Sequence, residues 1–185
     1  MFSKKEQRTI AINARRALTD EQRAAYSASL CEKLFELECV RNAKTVLAYA
    51  ATWDEADPAL FCKKAAEQGA VVAYPVSHKG GIMEAYAPES PEDLKTGLLG
   101  IKAPDPKTSR LISPEELDLV LVPCVAFDEE KRRLGHGGGY YDRYLPKCRG
   151  AKFVLIAFEA QKLPQIATEE HDILMDALVT EAKIY

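Results

Sequence analysis

Leu117-Asp-Leu-Val-Leu-Val122 holds one charge among five aliphatic residues and runs straight into Pro123. A stretch this short, apolar and valine-rich reads as a strand buried on both faces. Shorter runs of the same kind lie on either side of it: Lys44 to Ala50, Val71 to Tyr74, Met83 to Tyr86, Lys152 to Phe158 and Ala177 to Thr180. Helical signals fall between them. Residues 3–17 read as a helix, and Thr19 with Gln22 three positions on forms a capping box ahead of Tyr26, Leu30, Leu34 and Leu37. Asp57-Pro58 reads as the start of a helix ending near Gly69, and Ser90-Pro91-Glu92-Asp93 and Ser113-Pro114-Glu115-Glu116 read as two more helix starts. The Lys79-Gly80-Gly81 turn separates the second and third strands. Strands that alternate with helices predict an α/β chain with a mostly parallel sheet covered on both sides. In such sheets ligands gather at the carboxyl ends of the strands, here Thr52 to Asp57, Pro123 to Asp142, and Glu159 onward.

The chain has 185 residues, 47% of them hydrophobic and 29% charged, which excludes a disordered, collagenous or coiled-coil chain. No linker or repeat divides it, so a single domain over residues 1–185 is expected. Its five cysteines lack a CxxC spacing, which argues against a disulfide scaffold or a structural zinc site. No apolar run is long enough to span a bilayer and no signal-peptide core follows Met1, so a cytoplasmic protein without a membrane partner is expected. The net charge of −3 is uneven. Lys4, Lys5, Arg8, Arg15 and Arg16 stand against Glu6 at the N-terminus, and Lys131, Arg132, Arg133, Arg143, Lys147 and Arg149 stand against Asp142 further on. Two short basic segments on an acidic body suit a small polyanion better than a nucleic acid.

The second basic segment contains Arg133-Leu-Gly-His-Gly-Gly-Gly-Tyr-Tyr-Asp142. Gly135, Gly137, Gly138 and Gly139 cost backbone entropy and pack nothing, so the run has another use. Bare amides ahead of a helix can wrap an anion, although the run is neither a Walker A loop nor GxGxxG. The glycine pattern alone leaves phosphate binding and a structural turn both open. Asp142 reads equally as a helix-dipole partner or as a ligand for Mg²⁺. Taken alone, Lys4 and Arg8 read as the solvated side of an amphipathic helix rather than as ligand contacts.

Taken together, Pro123-Cys-Val-Ala-Phe-Asp128 and Arg133 to Asp142 closely resemble the signature of the 5-formyltetrahydrofolate cyclo-ligase family. Lys4-x-x-x-Arg8 resembles that family's basic nucleotide-binding pair, and Asp54-Glu55-Ala56-Asp57 resembles its folate-contacting acidic turn. Gly100-Ile101 with Pro104, and His171-Asp172 with Asp176, follow in the family's order over nearly the whole chain. Departures from the pattern are Gly138 where some relatives carry a cation, His136 in place of Tyr or Arg, Cys124 for Gly, and Ala103 before Pro104.

The resemblance implies a three-layer α/β/α sandwich of the sugar-phosphate isomerase/CoA-transferase-like kind. It implies ATP- and Mg²⁺-dependent closure of 5-formyltetrahydrofolate to 5,10-methenyltetrahydrofolate, with ADP and phosphate released, by a monomer. Lys4, Arg8, Arg133, Gly135, His136, Gly137, Gly138, Gly139, Tyr140 and Tyr141 would then hold the nucleotide. Ala50, Glu55 and Tyr140 would hold the folate, Asp142 and Asp172 the metal, and Arg133, Tyr140 and Asp142 would serve the chemistry. Trp53 could line the folate pocket or be an ordinary aromatic at a strand end. Other readings from the residues are a sugar-phosphate or CoA-ester enzyme on a similar sheet, and a nucleotide or folate sensor without turnover.

Overall fold

The structure is a computed structural model that describes residues 2–90, 93–169 and 172–185. Its helices are α1 (Lys4–Arg16), α2 (Asp20–Leu34), α3 (Glu38–Arg41), α4 (Ala59–Glu67) and α5 (Tyr140–Tyr144). Its strands are β1 (Thr45–Leu47), β2 (Val71–His78), β3 (Ile82–Ala87), β4 (Lys95–Thr96), β5 (Lys102–Ala103), β6 (Arg110–Ile112), β7 (Leu119–Pro123), β8 (Ala126–Phe127), β9 (Arg133–Leu134), β10 (Lys152–Ile156) and β11 (Ala177–Val179). Seven strands form one sheet in the order β11-β10-β7-β1-β2-β3-β6. The first five run parallel, with Val46 opposite Leu119 and Leu47 opposite Ala73. β3 and β6 are antiparallel additions at one edge.

The apolar alternation of β7 builds the two faces. Leu119 and Leu121 point to one side, Val120 and Val122 to the other, and all four are fully buried. The first side is covered by Leu30, Cys31 and Leu34 of α2 and by Phe61, Cys62 and Ala65 of α4. The second is covered by Tyr144 of α5 with Leu145, Cys148 and Met175. This is a mostly parallel sheet flanked by helices, the α/β architecture that the strand spacing predicts. A third small cluster seats Ala11 of α1 on Val125, Ala126, Leu134 and Ile166. No helix among the described residues is long and apolar enough to cross a membrane.

The capping box expected at Thr19 forms, and a second one opens α1. Ser3 with Glu6 and Thr19 with Gln22 form reciprocal capping boxes at the starts of α1 and α2. Several sequence expectations are corrected. No helix runs on from Asp93: the chain passes into β4, which pairs with β5 around Gly97 and Gly100, and Pro91 and Glu92 lie outside the described residues. Glycines at those spacings penalise a helix. Ser113 and Glu116 do form a capping box, but the helix stops after one 3₁₀ turn because Leu117 already leads into β7. α2 ends at Leu34, and Leu37 caps α3 instead. α4 starts one residue later than expected, with the Asp57 carboxylate accepting from the Ala59 N–H. β6 was not anticipated, since Arg110–Ile112 is too short to show a period.

Leu121→Ala removes a fully buried side chain from the central strand and is expected to cost ~2–5 kcal/mol. Thr19→Ala removes only a cap and is expected to cost about 1 kcal/mol. Urea unfolding of the two variants should resolve that order.

Candidate functional site

β1 sits between β2 and β7, so the chain leaves β1 towards one edge of the sheet and returns through β7, β10 and β11 to the other. At such a reversal the segments leaving the two central strands diverge and a crevice opens at their carboxyl ends. Residues after β1 and after β7 line that crevice, which encloses about 480 Å³.

The segment after β1 is a tightly bonded acidic turn. The Tyr49 hydroxyl donates to the Ala56 carbonyl at 2.6 Å. The Thr52 N–H donates to Glu55 Oε2 at 2.9 Å, and the Thr52 hydroxyl donates to Asp54 Oδ1 at 3.2 Å. The two neighbouring carboxylates have different surroundings. Asp54 is buried, and its Oδ2 receives Arg15 Nη2 at 3.0 Å and Arg16 Nε at 2.9 Å. Glu55 lines the crevice, with Oε1 at 3.3 Å from His136 Nε2 and 3.9 Å from Arg15 Nη1. Burial works to raise the Glu55 pKa. The His136 contact, the Thr52 N–H and the Arg15 charge outweigh it, and the carboxyl lies below its ordinary range. Asp54 is also lowered: burial opposes, and Arg16 and Arg15 prevail.

The segment after β7 turns through the β8–β9 hairpin into the glycine run. Gly137 and Gly139 have φ of 94° and 65°, and Gly139 precedes the first turn of α5, so the run needs residues that tolerate left-handed backbone. Arg8 Nε donates to the Gly135 carbonyl at 2.8 Å and Arg143 Nη2 to the Gly138 carbonyl at 2.6 Å. Among the described residues, none of the N–H groups of residues 135–139 has a protein acceptor. Tied carbonyls and free amides are the polarity an anion site requires.

Arg133, nearly buried, pairs with Asp142 and lies 5.7 Å from the Tyr141 ring. The Tyr140 hydroxyl donates to the His78 carbonyl, and Arg143 also donates to the Gly81 carbonyl, which fastens the β2–β3 hairpin to the loop. The Cys124 thiol, next in sequence to Pro123 of the lining, is not a nucleophile: burial pushes it up to about 12, and no cysteine is in a disulfide.

The crevice therefore gathers Ala50, Glu55, Arg133, Gly135, His136, Gly137, Gly138, Gly139, Tyr140, Tyr141 and Asp142. Arg8 reaches the back of the loop from α1. One turn earlier, Lys4 pairs with Asp172 at 3.4 Å and Glu169 at 3.1 Å, outside the crevice lining. Asp172 is thus joined to α1 rather than to Asp142, and His171 lies outside the described residues. No cluster of three metal-ligating side chains occurs among the described residues. The donor set fits a magnesium ion that brings phosphate oxygens and water and takes one carboxylate, Asp142, and does not fit a cage built by protein alone.

Trp53 is 66% exposed, beside Arg16 and Arg23. It lines a neighbouring cavity of about 1050 Å³ that shares Tyr49, Ala50, Thr52 and Ile101 with the crevice. The sequence reading missed the separate task of Asp54, the burial of Arg15 and the bridging by Arg143. One signal was available: Arg15 stands seven residues after Arg8, on the same helix face.

Comparison with known proteins follows the same outline. A profile described as the 5-formyltetrahydrofolate cyclo-ligase family matches residues 1–181. The 5-formyltetrahydrofolate cyclo-ligase of Escherichia coli K12 is 32% identical over 177 residues, covering 92% of this chain and 96% of its own. A probable 5-formyltetrahydrofolate cyclo-ligase of Schizosaccharomyces pombe is 32% identical over 198 residues, covering 99% and 97%. The solution structure of 5,10-methenyltetrahydrofolate synthetase from Aquifex aeolicus superposes with a TM-score of 0.84 at 31% identity, covering 98% of this chain and 91% of that one.

Asp54→Asn leaves Arg15 buried with a neutral partner and is expected to cost ~3 kcal/mol at neutral pH. Because the Asp54 pKa is lowered on folding, its contribution is present above the ordinary carboxylate value and lost as pH falls through the folded one. The gap in melting temperature between wild type and variant should therefore narrow below about pH 4.

Proposed function

The chain belongs to the 5-formyltetrahydrofolate cyclo-ligase family, and from that premise we propose that it converts 5-formyltetrahydrofolate and ATP into 5,10-methenyltetrahydrofolate, ADP and phosphate. One observation carries the reading: five acceptor-free amides, the Arg133–Asp142 pair and the Glu55 carboxylate face a single crevice. A polyphosphate and a hydrogen-bond-donating heterocycle are the two ligands those groups suit.

The N5-formyl carbon belongs to an amide and is a poor electrophile. Its oxygen attacks the γ-phosphorus and displaces ADP, N10 then attacks the activated carbon and gives up its proton, and phosphate departs from the same carbon. The substrate supplies both nucleophiles, so the protein needs to align and neutralise rather than attack. The amides of residues 135–139 and Arg133 hold the phosphates, with Lys4 and Arg8 adding positive charge from α1. His136 and Tyr141 complete the nucleotide side. Glu55 accepts from the donor edge of the pterin, since one carboxylate can take two N–H bonds. Ala50 leaves room beside it, and Tyr140 stands between folate and nucleotide. A magnesium ion held directly by Asp142, with Asp172 acting only through water from the α1 side, would neutralise charge on the phosphate oxygens. In this reading residues 1–185 act as a single domain and a monomer in the cytoplasm, on a small folate, with neither nucleic acid nor membrane as partner.

Purified protein given 5-formyltetrahydrofolate, ATP and Mg²⁺ should develop the methenyl absorbance in step with ADP; a flat trace with competent folate would refute the assignment. Asp142→Asn should lower turnover by roughly a hundredfold or more, far out of proportion to the stability lost by leaving Arg133 with a neutral partner. Lys4→Ala should raise the apparent KM for ATP more than that for folate, and the reverse order would remove Lys4 from the nucleotide side.

A further inference from the structure

α1 carries five basic residues, and Arg15 alone among them is buried, with 2% of its surface exposed. Its Nη2 bonds Asp54, while its Nε and Nη1 have no hydrogen-bond partner among the described residues. A buried guanidinium with unmet donors is costly to keep. Anchoring the acidic turn does not require it, because Arg16 already reaches the same Asp54 oxygen from the solvent side. What Arg15 alone supplies is a charge behind Glu55, with Nη1 3.9 Å from Oε1.

The other groups around Glu55 cannot replace that charge. Tyr49, Cys124 and Tyr141 face it from the ends of β1 and β7 and from α5, and burial raises all three, so they stay neutral. Asp54, its neighbour in the turn, is a like charge taken up by Arg15 and Arg16. His136 does contact Glu55, but it is mostly exposed and rides on the glycine loop, free to turn to an arriving phosphate. Arg15 is enclosed and stays.

We propose that Arg15 is a positioning residue that acts through Glu55, keeping its carboxylate charged where Thr52 holds it facing the folate, and so sets the acid limit of folate binding. This rests on the folate role proposed for Glu55. Removing the cation raises the Glu55 pKa, so the carboxylate is lost at a higher pH.

The test is calorimetric binding of 5-formyltetrahydrofolate from about pH 4 to about pH 8. Wild type is compared with Arg15→Gln, Arg15→Lys, Arg16→Gln and Glu55→Gln, with ATP binding measured alongside. Arg15→Gln should move the acid limb up by about one pH unit, weakening folate by up to roughly tenfold on the acid side of the limb and leaving binding at neutral pH little changed. It should leave ATP affinity in place. Arg15→Lys should restore most of the limb, and Arg16→Gln should leave it unmoved. Should Arg15→Gln not fold, Arg15→Met combined with Asp54→Asn leaves no buried charge at the anchor and should move the limb in the same direction. An unmoved limb, an equal loss of ATP affinity, or the same shift from Arg16→Gln would overturn the proposal. Normal folate binding by Glu55→Gln would overturn the role of Glu55 itself, and this inference with it. Weak binding there beside an unmoved Arg15→Gln limb would overturn the inference alone.

Discussion

The parallel pairing of β1 with β7, Val46 against Leu119 and Leu47 against Val120, is the constraint on which the site depends. It puts two strands far apart in sequence at the centre of the sheet, and their onward segments leave in opposite directions. The crevice between those segments is a consequence of topology, and the side chains lining it come from both sides because both strands end there. Complete burial of Leu119, Val120, Leu121 and Val122 keeps the pairing from slipping: a shift of one residue would exchange the faces of the whole strand.

α1 works as a strut behind that crevice. Lys4 meets the turn at Asp172, Arg8 holds the Gly135 carbonyl, and Arg15 enters the acidic turn at Asp54. Their spacings of four and seven residues put all three on one face. Three loops of unrelated sequence are thereby fixed relative to one another by a single rigid element, and Ala11, between Arg8 and Arg15, supplies the apolar contact that seats it.

Within the crevice the charges are already arranged for exchange. Arg133 and Asp142 are paired with each other, and Glu55 is held ionised in a largely buried place. The magnesium–nucleotide complex proposed as the ligand would offer a better partner to each of the pair: phosphate for the guanidinium and a cation for the carboxylate. The pair keeps both groups satisfied until then. The glycine loop is set up in a similar way, since Arg8 and Arg143 take its carbonyls and leave its amides free.

By itself the sequence determined whatever depends on a few consecutive residues. The capping pair at Thr19, the apolar run of β7, a glycine run that packs nothing, and the order of the family's motifs are all local and could be read directly. Tertiary structure alone decided which of the adjacent acids Asp54 and Glu55 is an anchor and which faces the crevice, that Arg15 is buried while Arg16 is not, and that the sheet gains an antiparallel edge through β6. It also decided that Asp172 joins Lys4 instead of the glycine loop. The reason is that each of these depends on a partner tens of residues away or more. A residue's type states what it can bond; its burial and its partner's charge, which settle whether it does, exist only once the chain has folded.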